Sequence, residues 1–183
     1  MRLALLMTVL ALLVAPVGSR AQTTLGTQTL SLTLDAAGLL YGFPDTVTLS
    51  KTGTVFSAYT GILSIQFRAR TSSSGSASVT VKATADFSPA GGPSIASPPT
   101  AGDALTYTCG AATLGSNCSG TQTVSTTAST NVVSMGASTC TGGGAPCSTA
   151  DPNTVNVNFS LTNDPKYKTG SYAATLTFTI SAT

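Results

Sequence analysis

Apolar and polar side chains alternate along much of this chain, and the alternation is clearest towards its C-terminal end. Residues 155–161 carry an apolar side chain at every second position, and the same period of two returns over residues 172–180. This pattern predicts strands that cover a core on one side and face water on the other, as in antiparallel sheets. Because Asn163, Asp164 and Pro165 form a turn cluster between the two runs, we predict a C-terminal hairpin.

Similar alternation predicts further strands, and no later stretch of the chain has helical periodicity. The predicted strands cover residues 27–34, 46–50, 54–59, 63–69, 77–87, 104–109, 122–126 and 131–135. A Ser-rich loop at residues 71–76 predicts a second hairpin, with Arg68 and Arg70 across from Lys82 and Asp86. We therefore predict an all-β fold, an antiparallel two-sheet sandwich of Ig-like or jelly-roll-like type with about nine or ten strands and no major helix.

Leu30, Leu32 and Leu34 form an apolar row near the N-terminus, alternating with Ser31 and Thr33. A strand of this pattern either joins the edge of its own sheet or adds to the sheet of a neighbouring subunit through main-chain hydrogen bonds. The sequence leaves both interpretations open. If the strand adds to a neighbouring subunit, the three leucines are a candidate donor strand.

The first residues have the features of a secretory signal peptide. Met1 and Arg2 precede an apolar run at residues 3–14, which is too short to span a membrane comfortably. Ser19, Arg20 and Ala21 follow, with small residues at the positions that a signal peptidase reads. We predict a signal peptide at residues 1–21 and a single β-sandwich domain at residues 22–183. The alternative is a retained N-terminal membrane anchor. The mature protein is expected to be secreted, in the extracellular space or at the cell surface.

Charged residues make up only 8% of the chain, and His, Glu and Trp are absent. The six basic residues of the predicted mature chain balance its six Asp, so there is no basic stripe for nucleic acid. General acid–base catalysis needs a titratable group near neutral pH, usually His or a paired carboxylate, and the Asp residues here are scattered. We therefore expect a protein that is not an enzyme, uses no cofactor, and has no membrane span after signal cleavage.

The chain has four cysteines, Cys109, Cys118, Cys140 and Cys147. An even number behind a signal peptide indicates two disulfides. Three connectivities exist for four cysteines. We favour Cys109–Cys118 and Cys140–Cys147, because each pair brackets a short loop rich in Gly and Ser. A zinc site of four cysteines is the alternative, but it would need closely paired ligands that this spacing does not supply.

Oxygen ligands for calcium are a further alternative, offered by Asp151, Asn153 and Asp164. These residue types also cap turns by accepting hydrogen bonds from nearby backbone N–H groups. Turn capping is the interpretation we favour, so no metal site is predicted.

The segment from Tyr167 to Ile180, with Gly170 and Tyr172 followed by Thr177 and Thr179, resembles the last strand of several bacterial secreted β-sandwich families. It is most similar to the ending of spore coat U-type pilin-like domains and of WxL-type surface domains. The resemblance implies an Ig-like sandwich that acts in surface attachment, fibres or biofilm. In the pilin-like group it also implies subunits joined by strand donation.

Two functions of different kinds fit these observations. The first is a secreted structural or surface protein, a homo-oligomer or polymer that forms an extracellular filament or surface layer by β-strand addition. The alternative is a monomeric carbohydrate-binding or adhesive module that recognises surface glycans. Its binding surface would be the cysteine loops and residues 88–102, a stretch of four prolines and three glycines that predicts a long surface loop or crossover.

Overall fold

The structure of the protein is a computed structural model that describes residues 30–42, 44–137 and 152–183. The chain divides into a unit Met1–Thr33, of which residues 30–33 are described, and a unit Leu34–Thr183. The predicted signal peptide and the predicted Cys140–Cys147 disulfide lie outside the described residues. Within the described ranges, no helix has the length and apolar character needed to cross a bilayer.

Ten strands and one short 3-10 turn, at Ala101–Asp103, make up the regular structure of the described residues. In chain order the strands are β1 (Ala37–Tyr41), β2 (Ser50–Lys51), β3 (Tyr59–Arg70), β4 (Ser76–Ser88), β5 (Thr106–Cys109), β6 (Ser116–Asn117), β7 (Gln122–Thr123), β8 (Thr130–Gly136), β9 (Asn153–Leu161) and β10 (Ala173–Ala182). All strand pairs are antiparallel. The longest strands are those whose sequences sustain the alternation longest.

The strands form two sheets around one hydrophobic core. The first sheet has the order β1-β3-β9-β5-β7, with β2 also paired to β3, and the second has the order β10-β4-β8-β6. Inward side chains of the central strands are fully covered, with 0% exposure at Ile65, Phe67, Val79, Val81 and Val157. The predicted all-β fold, an antiparallel two-sheet sandwich, is confirmed.

Long strands that follow each other in the sequence lie in opposite sheets. β3 and β4 do not pair, because β3 lies between β1 and β9 while β4 lies between β10 and β8. β9 and β10 are separated in the same way, so both predicted hairpins are wrong. Alternation identifies which face of a strand is apolar, but it does not identify the partner of the strand. Two strands with apolar faces can lie side by side in one sheet, or they can face each other across the core from opposite sheets. The predicted placement of Arg68 and Arg70 across from Lys82 and Asp86 is wrong for the same reason.

The short predicted strands differ most from the structure. Residues 46–49 are irregular, and residues 54–57 form a turn closed by a hydrogen bond from Ser57 N–H to the Thr54 carbonyl oxygen at 3.1 Å. β8 matches its prediction, but its register with β4 shifts, so that Val132 and Val133 are both buried. An extra residue in one strand of a pair produces such a bulge.

Tyr107 connects the two sheets through the core. Its fully buried ring lies on β5, with its centroid 6.1 Å from that of the Phe159 ring. Its hydroxyl donates to the Asn131 carbonyl oxygen at 2.7 Å and lies 2.9 Å from Thr130 Oγ1, both on β8 of the other sheet. A buried phenol needs such partners. Burial raises the pKa of this hydroxyl.

Asp86 anchors the loop of residues 89–105, which crosses from the second sheet to the first as its composition predicts. Its carboxylate accepts the N–H groups of Ile95 at 2.6 Å, Phe87 at 2.7 Å and Ala96 at 3.2 Å, and the Ser94 hydroxyl at 2.6 Å. Burial on its own would raise the pKa of this carboxyl, but the four hydrogen bonds together outweigh burial and lower it.

We expect Asp86→Asn to lower the free energy of unfolding by about 1–2 kcal/mol near neutral pH, because hydrogen bonds to a charged acceptor are lost. Since the carboxyl has a lower pKa in the folded protein than in the unfolded chain, it stabilises the fold above about pH 4. That contribution disappears as the pH falls through the folded-state pKa. Urea unfolding of both proteins near neutral pH and at about pH 2 tests this. A difference that is equal at both pH values would contradict the role of the charge.

Candidate functional site

Residues 30–34, which we call the leucine segment, lie outside every strand of the described structure. Leu30, Leu32 and Leu34 are 95%, 78% and 63% exposed. The strand predicted at residues 27–34 is therefore not formed over its described part, and the first strand begins at Ala37. Donation of this segment to a neighbour stays a prediction.

The chain enters β1 next to the last residue of β3. Ala37 pairs with Arg70, and the Arg70 Nε donates to the Asp35 carbonyl oxygen at 2.6 Å. Close by, Gly38 faces Ile180 of β10, where an added Cβ would lie 2.9 Å from the Ile180 side chain. The Arg70 contact therefore fixes the backbone just before β1, at an end of the sandwich that β10 also reaches.

The C-terminal end of β10 is held at this same end by the β3–β4 loop. The Ser72 N–H donates to the Thr183 carbonyl oxygen at 3.0 Å, and the Thr183 N–H donates to the Ser76 carbonyl oxygen at 2.8 Å. Gly75 leaves room for the terminal carbonyl, because a Cβ there would overlap it. β10 thus ends where β3 ends and where β1 and β4 begin.

β10 has a long edge without a strand partner. One of its edges pairs with β4, from Ala173↔Ser88 to Ala182↔Ala77, and no other strand of the described residues pairs with it. The other outer strands are shorter, since β2, β6 and β7 have two residues each and β1 has five. Charged residues and prolines commonly protect an exposed edge, and β10 contains neither over its ten residues. Among the described strands, β10 is therefore the best suited to strand addition.

The apolar face of β10 is also incompletely covered. Leu176, Ile180 and their inward neighbours on β10 pack against the core, yet each stays partly exposed, whereas the inward residues of β9 are all buried. In the facing sheet, the strand next to Ile180 is β1, which is half as long as β10. We use the term β10 edge for the unpaired backbone of β10 together with this half-covered apolar row. Its geometry suits an added strand that has one apolar face.

One of the two predicted disulfides, Cys109–Cys118, is present, with 5.5 Å between the Cα atoms. It joins the end of β5 in the first sheet to the residue after β6 in the second. The Asn117 side-chain amide donates to the Cys109 carbonyl oxygen at 3.2 Å, and the Cys118 N–H donates to the Val132 carbonyl oxygen at 2.9 Å. This cysteine loop therefore links the sheets covalently.

The positions of Asn153 and Asp164 contradict the calcium alternative, because the two residues lie far apart. Asn153 is the first residue of β9 and Asp164 follows the opposite end of this strand, and a nine-residue strand is about 30 Å long. The Asp164 carboxylate accepts the Lys166 N–H at 2.8 Å, so it caps a turn as predicted. Asp151 lies outside the described residues.

A hollow of about 410 Å³ lies on the outer face of the first sheet. Hydroxyl and amide side chains line most of it, including Thr60, Thr106 and Asn158. Ligand sites usually add aromatic side chains to such polar groups, but Tyr107 and Phe159 bury their rings in the core. The hollow therefore lacks the exposed aromatic rings of a sugar site, although the exposed Ile62 side chain also lines it.

Tyr167 and Tyr172 have structural roles. The Tyr172 hydroxyl donates to the Lys168 carbonyl oxygen at 2.6 Å, and its ring lies so close to Gly92 that a Cβ there would overlap it. Burial, with the negative charges of Asp103 and Asp164, raises the pKa of Tyr167 to about 12. Both rings thus belong to the connection between β9 and β10, which packs against the loop that Asp86 anchors.

Comparison of the chain with protein-family models, with curated proteins and with solved structures found no match. The function is therefore inferred from two features of this chain, the leucine segment and the β10 edge.

Proposed function

We propose that this protein is a secreted, non-enzymatic subunit of an extracellular filament or surface layer, in which subunits join by β-strand addition. The leucine segment is the donor strand. The observation that carries the proposal is a row of three alternating leucines, each more than half exposed, in a segment without a strand partner among the described residues. The signal-peptide pattern and the nearly uncharged composition support an extracellular location.

The energetics favour an acceptor for this segment. Burying one leucine side chain contributes about 1.5–3 kcal/mol, so three contribute roughly 5–9 kcal/mol. Ordering the backbone of five residues costs about 1–2 kcal/mol per residue, which nearly offsets that gain. Main-chain hydrogen bonds to a sheet edge then decide the balance. The segment is therefore expected to become ordered only where both an apolar surface and an unpaired edge are present.

Assembly of the predicted mature chain, residues 22–183, tests this proposal. One variant lacks residues 22–34, and a second carries Leu30→Ser, Leu32→Ser and Leu34→Ser. We expect the unchanged chain to form filaments or large oligomers and both variants to remain folded monomers, because the donor has lost its apolar row. Size-exclusion chromatography with light scattering and negative-stain microscopy measure the outcome, and circular dichroism checks the fold.

Val55→Ser combined with Ile62→Ser is the matched control, since these side chains are 73% and 68% exposed elsewhere on the domain. Loss of assembly in this control would point to general apolar association instead of strand donation. An unchanged chain that stays monomeric at every concentration would contradict the proposal. Glycan-array binding would then test the alternative role of a carbohydrate-binding module.

A further inference from the structure

We propose that the end of the sandwich with the turn between β2 and β3 binds the surface of a lipid bilayer that contains anionic headgroups. Residues 54–57, which we call the apolar turn, would enter the bilayer interface, and the lysines around this turn would contact the lipid phosphates. This inference goes beyond the proposed function and does not depend on assembly. It rests on an exposed apolar pair, on a strained backbone and on the distribution of charge at this end.

The apolar turn projects two large apolar side chains into solvent. It follows the Lys51↔Tyr59 pair, where the pairing of β2 with β3 ends, so it forms the tip of a hairpin. Val55 and Phe56 at this tip are 73% and 55% exposed, and neither packs against the hydrophobic core. Because binding to a bilayer interface increases with the apolar area that is buried there, these two side chains supply a driving force for insertion.

The backbone of Phe56 is strained. Its φ is 65°, and among the described residues it is the one residue other than glycine with a positive φ. A bulky side chain disfavours this conformation, which glycine adopts at no steric cost. Strained backbone of this kind is concentrated at binding sites, where it is part of the function. Because the ring does not pack against the core, binding explains why a phenylalanine occupies a position that suits glycine.

The end of the sandwich that carries the apolar turn also carries most of the lysines. Leu161 pairs with Tyr59, so β9 ends beside the start of β3. The connection from β9 to β10 therefore leaves the sheet at the same end as the apolar turn. Three of the four lysines of the chain lie here, and all three are exposed: Lys51, Lys166 and Lys168. Each lysine near an anionic bilayer surface strengthens binding about fivefold.

Negative charge at this end is largely covered. The two loops here, residues 89–105 and residues 162–172, carry one carboxylate each. Asp103 is 3% exposed, and the Asp164 side chain is 12% exposed. The Lys166 side chain is 68% exposed, although its Nζ lies 4.0 Å from an Asp164 oxygen. The accessible charge of these loops and of the apolar turn is therefore positive, which complements a layer of anionic headgroups.

A single tryptophan in the apolar turn tests the proposal. Because the chain has no Trp, Phe56→Trp in the predicted mature chain supplies the only indole emission. We expect this emission to shift to shorter wavelength when vesicles of phosphatidylcholine and phosphatidylserine are added, and brominated lipid to quench it. Leu39→Trp is the matched control without a shift, since Leu39 is 53% exposed and pairs with Arg68, near the other end of β3. No shift at position 56, or equal shifts at both positions, would overturn the proposal.

Phe56→Gly separates a role in binding from a role in folding. Glycine accepts the positive φ, so we expect the midpoint of urea unfolding to stay the same or to rise. We expect the affinity for the same vesicles, measured by flotation in a density gradient, to fall about tenfold because less apolar area is buried. Unchanged binding would overturn the role of the ring, and so would a loss of binding that accompanies a fall in the urea midpoint.

Lys51→Gln and Lys168→Gln, made one at a time, test the contact with the lipid phosphates. For each, we expect the affinity for vesicles with phosphatidylserine to fall about fivefold, and the affinity for vesicles of phosphatidylcholine alone to change little. Lys82→Gln is the matched control and is expected to have no effect, because Lys82 lies in the middle of β4. Equal losses with both kinds of vesicle, or an equal loss in the control, would overturn this contact.

Discussion

Tyr107→Ala is expected to lower the free energy of unfolding by about 4 kcal/mol, the range found when a large buried aromatic side chain is truncated. The ring is fully buried, so its removal leaves a cavity beside Phe159. The substitution also removes the hydroxyl that donates to the Asn131 carbonyl oxygen on the other sheet. Urea unfolding followed by circular dichroism measures the loss.

Tyr107→Phe is the matched control, because it keeps the ring and removes only the hydroxyl. We expect it to cost about 1–2 kcal/mol, the penalty for a buried carbonyl that loses its donor. The difference between the two variants then gives the contribution of ring packing. If both variants lose the same free energy, the hydroxyl and not the ring would be what joins the sheets at this point.

Replacement of both Cys109 and Cys118 by Ser is expected to cost about 2.5 kcal/mol of unfolding free energy, because the unfolded chain gains the entropy of an open loop. The cysteines are nine positions apart, so the closed loop is short and the gain is modest. Urea unfolding under non-reducing conditions measures it. A variant as stable as the unchanged protein would show that the hydrogen bonds of Asn117 and Cys118 hold this loop without the bridge.

The same variant also tests the second predicted disulfide. With the first bridge removed, any further loss of stability on adding a reductant reports a bond between Cys140 and Cys147. No further loss would mean that a bond between these two cysteines does not contribute to stability.

Alternation alone predicts the long strands of this fold well, β3, β4, β9 and β10. In the predicted strands at residues 63–69 and 104–109, alternate apolar side chains are buried on one face, namely Leu63, Ile65 and Phe67 in the first and Leu105 and Tyr107 in the second. Alternation does not identify the partner of each strand, because any two strands with an apolar face have the same pattern. The pairing of β3 with β9, about ninety residues later, therefore appears only in the structure.

The two features of the candidate site differ in how far the sequence predicts them. The leucine row is visible as a pattern, but its exposure is not, since the same pattern is typical of an ordinary edge strand. The sequence does not predict the β10 edge, because long-range pairing decides which strand lies at the edge of the sheet. For Asp86 the sequence pattern predicts only a place across from Arg68 and Arg70, although an Asp followed by a loop rich in Pro and Gly is a signal for backbone capping.

The position of β9 has a consequence for when this domain can fold. β9 is the middle strand of the first sheet and pairs with both β3 and β5, yet only β10 follows it in the chain. Synthesis runs from the N-terminus, so β3 and β5 emerge long before the strand that joins them. Until residues 153–161 are available, the apolar faces of both strands have no common partner, which is the condition under which β-rich chains aggregate. Folding of this domain is therefore expected to begin only after residues 153–161 have been synthesised.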